Sequence, residues 1–198
     1  FTLASYIIEG GGSRNYEHAK AMMFAEPKAW HKLMEHLTGV IINYMNAQID
    51  TGVQVVQLFD SWVGALGPAD YREFVLPHQK NVIAGIKKTV PLIHFAHGAT
   101  HLLEMVAEAG GDVIGLDWRC NLDEAWKRVG YDKAVQGNID PISLFGSKEF
   151  IRKRTKEILD RAGGRNGHIM NLGHGILQQT PLESAAEFIN ATHEMSKR

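Results

Sequence analysis

Five segments of this 198-residue chain gather groups that can do chemistry: Asp60-Ser61-Trp62, His94-Phe95-Ala96-His97-Gly98, Asp117-Trp118-Arg119, Gln136-Gly137-Asn138-Ile139-Asp140-Pro141 and Asn171-Leu172-Gly173-His174-Gly175. Each follows an apolar run. Acids, hydroxyls, amides and imidazoles set behind apolar strands, with glycines that let the backbone approach a ligand, describe loops lining a pocket. One such segment alone reads equally well as a polar connection, but five together favour a shared pocket.

The individual residues differ in what they can do. His94, His97 and His101 are spaced so that two or three imidazoles could meet at one point, which is the metal-site hypothesis. Against it, no cysteine lies nearby, Glu104 is the only acid close in sequence, and loop histidines often only hydrogen-bond. We therefore expect no metal. His174, held between two glycines, suits contact with a substrate better than a place in a core, although a helix start that merely tolerates histidine would look the same. Ser61 lacks the G-x-S-x-G surroundings of an elbow nucleophile, so a hydrogen-bonding or capping serine is the better reading. Tyr6 sits in an apolar run before Gly10-Gly11-Gly12, where position alone argues only for a packed ring with a satisfied hydroxyl.

Short β-branched runs alternate with longer amphipathic stretches, which predicts parallel βα units. Strands are expected at 53–59, 92–96, 113–116, 134–137 and 169–172, with a possible strand remnant over 1–8. Helices are expected from Pro27 to near Gly52, from Pro68 to near Lys88, and from Ala99 to Ala109. Three more are expected: from Asn121 or Leu122 to Val129, from a Ser147 cap to Ala162, and from Pro181 onward. No low-complexity linker interrupts the pattern, so one domain, 1–198, is expected. The fold class is α/β, and periodicity leaves an incomplete (β/α)₈ barrel and an open doubly wound sheet equally possible.

Composition narrows the classes. With 21 Lys+Arg against 22 Asp+Glu and a net charge of -1, the chain is no general binder of nucleic acid or membrane surfaces. Hydrophobic residues at 44% suffice for a core, and no apolar run approaches a membrane span. The single cysteine, Cys120, fits a reducing compartment, with the cytoplasm as the default. The chain opens on Phe1 without an initiator methionine, which leads us to expect a fragment.

The junctions carry a family likeness. FTLASYIIEGGGS at 1–13, QLFDSWVGALGPADY at 57–71, GLDWR at 115–119, QGNIDP at 136–141 and NLGHGI at 171–176 resemble, in order, the motifs of the uroporphyrinogen decarboxylase family. The resemblance implies a (β/α)₈ barrel of which the chain carries about the last five or six βα units. It also implies a porphyrinogen substrate, a homodimer, and decarboxylation of four acetate arms without metal or organic cofactor. Tyr6, Ser61 and His174 match the family's substrate-contacting tyrosine, serine and histidine. The family's arginine-rich stretch and its pyrrole-contacting aspartate have no counterpart here, so the chain alone is expected to be inactive.

Two other readings compete. Corrinoid or thiol methyltransferases that share the barrel bind zinc through a histidine and two cysteines, yet here the H-x-C position reads His94-Phe95-Ala96 and NLGHG stands where another cysteine is expected. A noncatalytic binding or assembly module is the alternative from another class, since a partial barrel leaves strand edges open.

Overall fold

The computed structural model describes residues 1–197, which fall into two compact units divided after Asp112. The first contains α1 (Thr2–Glu9), α2 (Glu17–Ala25), α3 (Pro27–Asp50), β1 (Val56–Asp60), α4 (Pro68–Phe74), α5 (Leu76–Gly85), β2 (Leu92–Ala96) and α6 (Leu103–Ala109). The second contains β3 (Val113–Gly115), α7 (Leu122–Val129), β4 (Ala134–Ile139), α8 (Lys148–Ala162), β5 (His168–Leu172) and α9 (Leu182–Met195).

In the first unit β1 and β2 pair in parallel, with Val56 opposite Leu92 and Asp60 opposite Ala96. Every residue of β2 is buried, as expected of a parallel strand covered on both faces. The apolar stripe of α3 closes one side: Met45 and Ile49 pack with Val56, Val82, Ile86 and Leu92. Trp30, fully buried near the start of α3, donates its indole N–H to the Phe74 carbonyl at 2.9 Å. The ring thus contributes its apolar area without leaving a buried polar atom unpaired.

The opening residues form the helix α1, not the strand expected over 1–8. An eight-residue apolar run is ambiguous between the two by periodicity. Contacts from far along the chain hold the helix, because Asp60 accepts from the Phe1 nitrogen and from the Thr2 N–H at 3.0 Å each. A carboxylate there satisfies donors that a helix start leaves open and opposes its dipole. Gly10 ends the helix in a left-handed conformation, φ 68°, so one member of the glycine triplet is a C-cap. α2 was not anticipated. The single helix expected from Pro68 to near Lys88 is two, α4 and α5, broken at Val75, because Pro77 has no N–H to continue the helical ladder and its ring would meet the carbonyl four residues earlier.

In the second unit β3 pairs with β4 and β4 with β5, all parallel. Ser147 caps α8 as expected, its Oγ accepting from the Phe150 N–H at 3.2 Å. Ser147→Ala therefore lowers the stability of this unit by about 1 kcal/mol, read from urea unfolding followed at the helix signal. An unchanged midpoint contradicts that role.

Candidate functional site

The C-terminal end of β1 delivers Asp60, Ser61 and Trp62 in succession, and each is held differently. Asp60 is only 5% exposed. Its carboxylate accepts from the Phe1 nitrogen, the Thr2 N–H, the Thr2 hydroxyl at 2.6 Å and the Gln79 side-chain amide at 2.8 Å. Burial pushes this carboxyl up, but the amino charge of Phe1 and the hydrogen bonds from Thr2 outweigh it and hold the group below its ordinary range. Asp60 is thus an ionised, saturated carboxylate whose acceptor capacity is spent on the protein.

Ser61 follows with its carbonyl accepting from Nδ1 of His97 at 3.2 Å, while the His97 N–H donates to the Asp60 carbonyl. Trp62 donates its backbone N–H to the Thr2 hydroxyl at 3.0 Å, and its ring lies 4.2 Å from that of Tyr6. Tyr6 is 53% exposed, so it is not the packed core ring that its apolar neighbours suggest. Tyr6 and Ser61 line the same cavity, of about 360 Å³. Its apolar length is bounded by side chains of α3 and α5, including Met34, Ile41 and Val82, and its polar groups include Asp60, His78 and Gln79. Mostly apolar walls with a few convergent polar groups are the usual makeup of a ligand site.

His78 is another of the polar groups on this cavity. One of its ring nitrogens lies 2.9 Å from Nδ1 of His31, and its own Nδ1 has no partner. Burial and the adjacent His31 push its pKa down, which keeps the ring neutral at pH 7. A larger cleft, about 570 Å³, opens beside Lys87, Lys88 and Gly110 at the N-terminal ends of the strands. Barrel chemistry sits at the other end, so this cleft is not the candidate.

The histidines once grouped by spacing are used separately. His94 is fully buried within β2 with Nδ1 at 3.2 Å from the Gly110 carbonyl, and His101 places Nε2 2.8 Å from the Leu66 carbonyl. Among the described residues no group of three or more His, Cys, Asp or Glu is arranged to hold a metal ion.

The second unit carries the remaining junctions. Asp117, buried, accepts from the Arg119 N–H at 2.8 Å and from its guanidinium at 3.2 Å, and that guanidinium covers the Trp118 ring at 4.2 Å. The Asn138 amide donates to the carbonyls of Asp117 and Cys120, both at 2.8 Å. Gly173 donates its N–H to Ile139, and His174 follows it, exposed, beyond β5.

Thr2, Gln79 and Tyr71 were missed as site-building residues. No local pattern marks them, since Asp60 lies 58 residues from its partner Thr2 and 19 from its partner Gln79, and Tyr71 reaches it only through Gln79.

Comparison with known proteins agrees with this layout. A family model described as uroporphyrinogen decarboxylase (URO-D) matches residues 1–195. The uroporphyrinogen decarboxylase of Carboxydothermus hydrogenoformans is 57% identical over 99% of this chain, and that of Streptomyces coelicolor 48% over all of it. The chain covers 56% of each, so it spans about half the length of the curated relatives it matches. A solved structure, a methyltransferase from Methanosarcina mazei, is similar with a TM-score of 0.74 at 18% identity, covering 98% of this chain and 63% of that one. That likeness bears on fold alone: the parallel βα units are those of an incomplete (β/α)₈ barrel.

Proposed function

Since the chain belongs to the uroporphyrinogen decarboxylase family, we propose that it is the C-terminal portion of an enzyme that decarboxylates the four acetate arms of uroporphyrinogen III to give coproporphyrinogen III. The observation that carries the reading is the pairing of Tyr6 and Ser61 on one cavity beside an ionised Asp60, at the matching motifs. Cytoplasmic location, a single catalytic domain and a homodimer belong to the same proposal. Among the described residues, no helix is long and apolar enough to cross a membrane.

The chemical problem is where the electrons go. Protonation of the pyrrole carbon next to the one bearing the acetate makes the ring a cation, the C–C bond pair released with CO₂ passes into that ring to leave an exocyclic methylene, and a proton gained at the methylene with loss of the added ring proton gives the methyl group and restores the pyrrole. No external cofactor is required. The protein must hold carboxylates and stabilise a developing positive charge in a preorganised setting. Tyr6 and Ser61 on the first unit, and His174 on the second, are assigned to hydrogen bonds with substrate carboxylates. Asp60 is not assigned to the ring cation, because its oxygens are occupied. The cation-stabilising aspartate and the arginine clamp are assigned to no residue of this chain, so the 198 residues alone do not decarboxylate.

Coproporphyrin fluorescence titration tests the reading, on the 198-residue chain and on the chain joined to the upstream half of its Carboxydothermus relative. The longer form binds and turns over substrate, and Ser61→Ala or Tyr6→Phe weakens binding about tenfold or more, as expected for a lost hydrogen bond to a charged group. Equal affinity in wild type and both variants sinks the assignment. The methyltransferase reading gains nothing here beyond the fold: Ala96 stands two residues after His94, and the one cysteine, Cys120, directs its thiol to the Asp117 carbonyl.

A further inference from the structure

The Thr2 hydroxyl stands at a junction that the family likeness leaves without a role. It donates to Asp60 at 2.6 Å and accepts from the Trp62 N–H at 3.0 Å, so one oxygen joins the first turn of α1 to both neighbours of Ser61. Tyr6 is four residues further along the same helix, hence on the same face. Its ring rests on the ring of Trp62, whose amide Thr2 holds. Behind Asp60, the Gln79 amide donates to the carboxylate and its oxygen accepts from the buried Tyr71 hydroxyl, so a fixed chain of hydrogen bonds backs the carboxylate. Two contacts, a hydrogen bond at Thr2 and a tilted ring contact at Tyr6, therefore tie α1 to the exit of β1.

We propose that Thr2 and Asp60 are positioning residues that clamp the Tyr6-bearing helix to the Ser61-bearing strand exit, setting the two hydroxyls as a pair toward an anionic ligand. The ligand, a porphyrin carboxylate, rests on the function proposed above; the clamp itself does not. Phenol and serine are weak anion donors singly, and a pair fixed before binding loses less freedom when the carboxylate arrives. Thr2 is not a catalytic residue, because its hydroxyl is used up between Asp60 and Trp62.

Thr2→Val and Thr2→Ser in the 198-residue chain, and in the longer form used for the titration above, decide the matter. Valine keeps the branched shape and removes the hydroxyl; serine keeps the hydroxyl. In Thr2→Val the nuclear Overhauser contacts between the Tyr6 and Trp62 rings weaken and amide exchange across Thr2–Glu9 speeds up about tenfold, while β2 keeps its protection. Coproporphyrin affinity falls about tenfold in the same variant, and Thr2→Ser restores all three readouts to within about twofold of wild type. Ring contacts and exchange that stay unchanged in Thr2→Val overturn the clamp, whatever the ligand result. An intact affinity alongside loosened ring contacts overturns the positioning role. Should the wild-type longer form bind no coproporphyrin, the functional reading has failed, and the ring contacts still decide the clamp.

Discussion

Asp60→Ala destabilises the first unit by about 3 kcal/mol or more, because a buried carboxylate that accepts several hydrogen bonds is lost and each buried donor left unsatisfied costs about 1–3 kcal/mol. The mutation strands more than one donor. Phe1 loses the acceptor of its nitrogen, Thr2 loses partners for both its N–H and its hydroxyl, and the Gln79 amide is left facing a void. α1 loses what opposes its dipole as well. The pH dependence separates charge from packing. The folded-state carboxyl lies below its ordinary range, so its stabilisation is complete above the unfolded value of about 3.9 and disappears as pH falls through the lower folded value. Asp60→Asn keeps the shape and lacks the charge, so the gap in unfolding free energy between wild type and Asp60→Asn narrows on acidification from about pH 6 toward pH 2. A gap of constant width over that range means the carboxylate charge contributes nothing to folding.

These consequences were legible only in part from the sequence, and the reason is distance along the chain. β2 runs from Leu92 to Ala96 as expected because both faces are apolar and Pro91 precedes it. β1 is expected from Val53 but starts at Val56: β-branched residues make 53–55 look like strand, whereas the ladder begins only where Leu92 supplies a partner. α1 is the clearer case, since the acid that accepts the Thr2 N–H lies 58 residues away, in no window over 1–13. The break between α4 and α5 had a local signal in Pro77 that the amphipathic pattern masked. At the site, the Asp60-Ser61-Trp62 junction could be read from its place after an apolar run. That Asp60 would be spent on Thr2 and Gln79, and Tyr6 set on Trp62, follows from tertiary contacts alone.

Gly173→Ala displaces the loop that carries His174, while Gly175→Ala, two residues on, is neutral. A side-chain carbon at 173 would lie 2.6 Å from the Trp118 nitrogen and 3.0 Å from Asp117 backbone atoms. Nothing flexible is available to yield there. The 117–120 turn is stapled by the Asn138 amide to the Asp117 and Cys120 carbonyls and closed by the Asp117 carboxylate on the Arg119 N–H. The cost of such overpacking is about 1–3 kcal/mol, and the part free to move is the segment after β5, because His174 is exposed. An added carbon at Gly175 meets nothing within 4 Å, so the same substitution there serves as the control. Urea unfolding of the second unit and the His174 ring resonances in carbon-proton correlation spectra read the two effects. Gly173→Ala lowers the midpoint and shifts those resonances, and, on the function proposed above, in the longer form it weakens coproporphyrin binding at least as much as His174→Ala does. Equal behaviour of the two glycine variants refutes the claim that close backbone packing at Gly173 is what holds the His174 loop in place.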